Sequence, residues 1–237
     1  MILYILLILL LLYILASITG KDHFDKKTFV DNNIYDAFYC AIYDHIWDMT
    51  PFYTTQIELM KPYFMTTNNF LCVDCKTGNM PQLLSDNMKV VGIDNSKDMI
   101  ERSKKKYSSI PFIKTCMCDP SVFKQNLFTH IYCPLFSNCK DMDLFFRCVD
   151  KWLVPKGYLF IVTYTMPLKI SQFIVSDSIV SYDIEINHNK LIEKIKFHNK
   201  ERTNIQYLTP IEFEYYTLVN KIEISGYGCY LNVFQKE

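Results

Sequence analysis

Glycine is scarce in this 237-residue chain, with six in all, and tryptophan is scarcer, with two. Alanine is also uncommon, whereas Lys, Ile, Asn, Tyr and Phe abound. That bias reads as AT-rich coding, a property of a genome and not of a chemistry. Net charge is absent: 25 basic residues balance 25 acidic ones, which removes the electrostatic case for a nucleic-acid partner. No Asn-x-Ser/Thr sequon occurs despite the many Asn, a small point against a lumenal domain. The nine cysteines are odd in number and lack framework spacing, so a disulfide-stapled scaffold is not expected. The five histidines are scattered, and no Ser-His-Asp set or paired-carboxylate arrangement stands out. No internal repeat or low-complexity run interrupts the chain.

What the first eighteen residues lack is charge altogether. As a helix they would extend about 27 Å, close to the hydrocarbon thickness of a bilayer. No Lys or Arg precedes the run, it is longer than a usual signal core, and Leu15-Ala16-Ser17 is a poor cleavage site. Residues 1–20 are therefore read as a retained single-pass transmembrane anchor. Lys21, Lys26 and Lys27 follow it, so the domain is expected on the cytoplasmic side. Residues 21–33 are polar and read as a tether. The remainder, 34–237, is large enough for one well-buried domain and too small for two large ones.

Within that remainder, Ile34, Ala37, Phe38, Ala41, Ile42 and Ile46 recur at helical spacing over 34–47. Pro51 breaks the pattern, and 54–63 reads as a second helix that Pro62 helps to end. Short apolar strands then alternate with helices. Strands are expected at 70–73, 89–94, 112–114, 130–133 and 158–164. Helices are expected from 79, from 96 with Ser96 as N-cap, and over 141–153. Strands buried on both faces and alternating with helices mean a mostly parallel α/β sheet with helices on both faces. Residues 165–208 form an insertion in which 182–208 reads as an antiparallel hairpin pair. Thr209-Pro210-Ile211-Glu212 has capping-box spacing, and 221–225 and 229–234 look like closing strands, giving seven in the main sheet.

Open α/β sheets bind ligands at the C-terminal ends of their strands, near the point where strand order reverses. Asp74-Cys75-Lys76-Thr77-Gly78 follows the first strand there and opens a helix, whose amides can take polar ligand groups. Asp94 ends the second strand about 20 residues later, where an acidic side chain can accept from both hydroxyls of a ribose.

On these residues the chain resembles the class I S-adenosylmethionine-dependent methyltransferases, notably small membrane-anchored versions from large DNA viruses. The likeness is carried by Phe70-Leu71-Cys72-Val73-Asp74-Cys75-Lys76-Thr77-Gly78-Asn79 and by Val90-Val91-Gly92-Ile93-Asp94-Asn95-Ser96-Lys97-Asp98-Met99. It continues in Trp152-Leu153-Val154-Pro155-Lys156-Gly157-Tyr158-Leu159. The resemblance implies a Rossmann-like class I methyltransferase fold and S-adenosylmethionine as cofactor. It assigns cofactor contacts to Asp74, Cys75, Thr77 and Gly78 in the loop and to Asp94, Asn95 and Met99 beyond the second strand. After the third strand it assigns them to Cys116 and Met117, with Met117 packing on adenine; the family often has an acidic residue where Cys116 stands, and Asp119 falls three later. Tyr35, Tyr39 and Tyr43 share one face of a lid region spanning 34–66, from which Tyr43 would cover the cofactor.

The family's loop is Leu-Asp-x-Gly-x-Gly-x-Gly. Matched on Thr77-Gly78, its first two glycines become Asp74 and Lys76; a shifted register instead makes Asp74 the acidic residue and costs two glycines again. The loss matters because glycine admits positive φ and close backbone approach. Two arrangements are open: Asp74 reaches the cofactor's ammonium, or Asp74 and Lys76 fill the pocket and pair with each other.

Cys72-x-x-Cys75 and Cys116-x-Cys118 invite a zinc reading. The first and third strands flank the second, so their ends lie roughly 9–10 Å apart, too wide for bonds of ~2.3 Å to one ion. The expected function is methyl transfer to a small-molecule, lipid or protein acceptor at a membrane, with no catalytic base identified. The competing reading is an inactive descendant acting as a membrane-tethered binding or scaffold module. A nucleotide-binding Rossmann oxidoreductase fits less well with the helix and hairpin after the fifth strand.

Overall fold

The computed structural model describes residues 25–46, 50–134, 139, 141–164, 179–187, 190–207 and 216–237. The expected anchor at 1–20 and the capping box at 209–212 lie outside them, as does all of 165–178. Among the described residues no helix is long and apolar enough to cross a membrane.

Eleven strands and five α-helices are described. Strand β2 (Asn69–Val73) leads through the 74–78 loop to α3 (Asn79–Ser85), and β3 (Lys89–Asp94) leads to α4 (Lys97–Lys106). Next come β4 (Phe112–Lys114), β5 (Phe128–Cys133), α5 (Met142–Trp152) and β6 (Leu153–Tyr164). With β10 (Thr217–Ile224) and β11 (Cys229–Gln235) they form a seven-stranded sheet in the order β10-β11-β6-β5-β2-β3-β4. The pairs from β6 to β4 are parallel; β11 is antiparallel to β6 and to β10. From β2 the chain steps outward to β3 and β4, then returns to β5 on β2's other side. The switch point therefore lies between β2 and β5, at the loop that begins with Asp74.

Side-chain alternation along β2 explains why it reads as a continuous apolar run. Phe70 and Cys72 face a core shared with Phe52, Met80, Leu84 and Phe160. Leu71 and Val73 face the opposite core, with Phe145, Trp152 and Leu159. Both layers exclude water, so no polar alternation is expected. Gly92 fits the same packing: a Cβ there would lie 2.6 Å from the Phe112 ring and 3.0 Å from Cys75 Sγ. His130 is an internal packing residue, fully buried and stacked on Phe70 at 4.4 Å, with its Nε2 3.0 Å from the Tyr63 carbonyl. Burial pushes its pKa down to about 4.

The first lid helix begins later than the periodicity suggests, and the second begins earlier. Helix α1 spans Ala37–Ile46 and α2 spans Thr50–Met60. Pro51 therefore sits in the first turn of α2, where its missing N–H costs nothing. The polar 21–33 segment, read as a tether, contains β1 (Asp25–Val30), which pairs parallel with β9 (Lys200–Tyr207). Strands β7 (Ile179–Asn187) and β8 (Lys190–Phe197) complete a second sheet, β1-β9-β8-β7. The expected hairpin pair is thus three antiparallel strands, with β1 added at one edge.

Buried polar groups fasten that sheet to α1. Glu193 accepts from the hydroxyls of Tyr39 (3.0 Å) and Tyr182 (2.7 Å) and from the Asn204 amide. Arg202 donates to Asp36 at 3.0 Å and to the Ile34 carbonyl, and its guanidinium lies 3.8 Å from the centre of the Phe29 ring. These contacts fix the residues entering α1, among them Tyr35.

Candidate functional site

The loop after β2 is held in an alternating backbone conformation. Asp74, Lys76 and Gly78 have φ of 53°, 49° and 86°. For the two with side chains, left-handed geometry costs about 1–2 kcal/mol each. Offsetting bonds run along the loop: Cys75 N donates to Ile93 O at 2.9 Å, Gly78 N to Cys75 O at 2.9 Å, and Lys76 N to Asp94 Oδ2 at 2.9 Å.

Asp94 is 4% exposed and ends β3. Its Oδ1 accepts from Ser96 N at 2.8 Å, while its Oδ2 takes the Lys76 amide. An ionised carboxylate offers about four acceptor positions, so roughly two remain, the number a vicinal diol needs. Burial raises its pKa to about 6, against the lowering influence of Lys76 and the two backbone N–H groups.

Asp94 opens onto a crevice of about 220 Å³ lined also by Tyr35, Asp74, Ile93, Asn95 and Ser96. Thr115, Cys116, Met117, Cys118, Cys139 and Asp141 form its far wall. Thr115 N donates to Asp94 O at 3.0 Å, which ties that wall to β3. The Cys118 and Cys139 sulfurs lie 3.3 Å apart. Among the described residues no group of three or more His, Cys, Asp or Glu could hold a metal ion.

Of the residues singled out in the sequence, the fold brings Asp74, Asp94, Asn95, Cys116 and Met117 to this crevice. The other five do not line it. Cys75 and Met99 turn into the interior and are 6% and 0% exposed. Thr77 donates to Asp44 Oδ1 at 2.6 Å, on the side facing α1. Gly78 packs beneath Phe112 and Ser103. Tyr43 packs edge-on against Tyr39, with ring centroids 5.9 Å apart. Asp119 lies outside as well and accepts from Ser121. Sequence reasoning missed Cys139 and Asp141. Asp141 had a signal, because it caps α5 by accepting from Leu144 N at 2.9 Å. Cys139 had none.

The corner beside Asp74 and Tyr35 holds a cation. Lys76 Nζ lies 2.6 Å from Asp74 Oδ1 and 3.9 Å from the centre of the Tyr35 ring. Both side chains of the ion pair are largely buried, 11% and 16% exposed. Burial pushes the lysine's pKa down; the negative charge of Asp74, together with those of Tyr35, Asp94 and Tyr43, outweighs it and holds the pKa well above the ordinary lysine value. Burial raises the Tyr35 phenol to about 12.

Both the sequence and the fold are similar to known proteins. Residues 71–161 match the family model of the methyltransferase domain. The fold is that of a class I methyltransferase. A crystal structure of a Pyrococcus horikoshii protein superposes with a TM-score of 0.66 at 17% identity, covering 86% of this chain and all (100%) of that one. An S-adenosylmethionine-dependent methyltransferase from Clostridium acetobutylicum gives 0.61 at 15% identity, covering 84% and 96%. An amino pentose methyltransferase from Micromonospora echinaspora, solved with S-adenosylmethionine bound, gives 0.56 at 13% identity, covering 86% and 98%. Among curated proteins, a carboxy-S-adenosyl-L-methionine synthase from Trichodesmium erythraeum is 28% identical over 115 residues. That match spans 44% of this chain and 46% of the synthase, less than half of either. The methyltransferase fold here thus carries its acidic β3 end and its switch-point crevice, with a lysine in the loop corner.

Proposed function

We propose that this crevice binds the adenosyl part of S-adenosylmethionine and that the chain transfers the cofactor's methyl group to an acceptor. One observation carries the reading: Asp94 sits buried at the end of β3, bonded to the switch-point loop, with acceptor capacity left for two ribose hydroxyls. The left-handed φ at Asp74, Lys76 and Gly78 supports the register in which these three stand where the family has its glycines. Met117 and Cys116 would flank the base. The sulfonium activates the methyl group for in-line displacement, so the protein's task is to position the acceptor and exclude water.

The acceptor class stays broad: a small molecule, a lipid or a protein. Residues 1–20 would anchor the domain to a membrane, with the domain on the cytoplasmic side; support comes from the uncharged run and the lysines that follow it. Carbonate extraction of membranes tests the anchor: the full chain should stay in the pellet and a chain lacking 1–20 should not.

Calorimetric titration with S-adenosylmethionine and with 5′-methylthioadenosine tests the site. Binding of either, weakened by about 1–3 kcal/mol in Asp94→Ala, is the expected result. No heat with either ligand at high micromolar concentration would falsify the proposal. The Lys76–Asp74 pair favours a second reading, an inactive scaffold. Methyl-tritiated cofactor separates the two, since label appearing in the lipid, protein or small-molecule fraction of an extract belongs to an enzyme alone.

A further inference from the structure

Taking the crevice as an adenosyl site, as above, we propose that Lys76 Nζ occupies the subsite for the ammonium of the cofactor's amino-acid tail. As folded, the crevice then takes an uncharged adenine nucleoside, and S-adenosylmethionine or S-adenosylhomocysteine enters only when the Lys76 side chain leaves.

The geometry begins at Asp94. Its carboxylate is bonded to the Lys76 amide, so a ribose held there lies directly against the loop. The base would run toward the 115–118 wall. Whatever is attached at the ribose 5′ carbon leaves in the other direction, toward Asp74 and Tyr35. In S-adenosylmethionine that substituent carries a sulfonium, an ammonium and a carboxylate, and in S-adenosylhomocysteine an ammonium and a carboxylate. A buried carboxylate and an aromatic face are the groups that attract such cations. Here both are already engaged by Lys76 Nζ, at 2.6 Å and 3.9 Å. The crevice lining accordingly includes Asp74 and Tyr35 and stops short of 75–78. At about 220 Å³ it falls below the roughly 300–1,000 Å³ typical of sites for complete ligands. An occupant from the chain itself has to be displaced before a longer ligand fits.

Lys76 is therefore a specificity residue within the site. Its left-handed φ of 49° makes Lys76→Gly the suitable variant, because glycine adopts that conformation without strain. The test titrates the full chain, wild type and Lys76→Gly, with 5′-methylthioadenosine and with S-adenosylhomocysteine. Wild type should prefer the nucleoside. The variant's ratio of S-adenosylhomocysteine to nucleoside affinity should rise about tenfold, the factor lost when roughly a tenth of molecules are binding-competent; the ratio is read because loss of the Lys76 charge also weakens nucleoside binding through Asp94. An unchanged or lower ratio, with the nucleoside still bound, overturns the inference and leaves the adenosyl site standing. Absence of binding by both ligands to both proteins removes the site and the inference together. Lysine reductive methylation of the wild type gives a readout free of mutation. Mass spectrometry should find Lys76 protected alone and with the nucleoside, and labelled with S-adenosylhomocysteine; protection in all three states contradicts displacement.

Discussion

Two buried carboxylates stand at the ends of adjacent strands, and they are satisfied in opposite ways. Asp74, after β2, is neutralised by a lysine side chain two residues on. Asp94, closing β3, is held by two backbone amides. A lysine is bulky and carries a full charge, so its pair is complete and fills space. An amide occupies one acceptor position and adds no bulk, so Asp94 keeps both room and hydrogen-bonding capacity. The difference separates a corner that stabilises the loop from one that can hold a ligand.

The largest expected effect tests the Asp74 side. Asp74→Ala leaves Lys76 Nζ buried against the Tyr35 ring without a counter-ion. Breaking one partner of a buried pair costs about 3 kcal/mol, read as a loss of unfolding free energy in urea. Replacing both, as Asp74→Ala with Lys76→Met, should recover most of that loss. If the single and double variants are equally unstable, the ion pair is not what secures the loop.

Next in size is the Asp94 side. Asp94→Ala should lower 5′-methylthioadenosine affinity by about 2 kcal/mol, roughly thirtyfold. An unchanged affinity would mean that the two free acceptor positions are not used.

Protonation offers a smaller and reversible version of the same test. With Asp94 near 6, nucleoside affinity should be flat above that value and fall by up to tenfold per pH unit below it. Stability runs the other way. Asp94 binds its proton more tightly in the folded chain than in the unfolded one, whose carboxyl has the ordinary value of 3.8. Its contribution to stability therefore rises as pH falls from about 6 toward 3.8 and is level outside that window. A calorimetric pH series shows whether affinity and stability part in this way.

Much of this arrangement could be read in the sequence because it depends on strand ends. The runs at 70–73 and 90–93 are apolar on both faces, and Ser96 caps α4 by accepting from Met99 N at 3.2 Å. Those features place Asp74 and Asp94 at the sheet's C-terminal edge without coordinates. Side-chain direction was less accessible. Tyr35, Tyr39 and Tyr43 share a spacing, yet Tyr35 reaches the crevice from a position ahead of α1, where Arg202 and Asp36 fix the chain. Cys75 and Met99 sit beside contact positions and point inward. Strand β1 was hidden for another reason: residues 26–28 are exposed and carry no apolar period. Its partner, β9, lies about 170 residues away, so main-chain pairing forms an element that local sequence does not announce.

The smallest effect brings in a third carboxylate, Asp44 on α1, which ties the lid to the loop from outside the crevice. It accepts from Thr77 at 2.6 Å, Asn79 at 3.2 Å and Lys106 at 2.7 Å. Burial works to raise its pKa, but the hydrogen bonds from Lys106 and Thr77 prevail, with the charges of Lys106 and Arg102, and hold it below the ordinary carboxylate value. The sign is opposite to that of Asp94. Asp44 stabilises the fold above the unfolded carboxyl value of 3.8, and that contribution is lost as pH falls through its lower folded value. Asp44→Asn retains an acceptor for Thr77 and loses the charge, so it should cost about 1 kcal/mol at neutral pH. The deficit should shrink as the wild-type carboxyl protonates, and urea unfolding of both proteins between neutral pH and the acid limit measures it. A deficit that stays constant through the acid range would mean that charge at Asp44 is not what holds α1 against the loop.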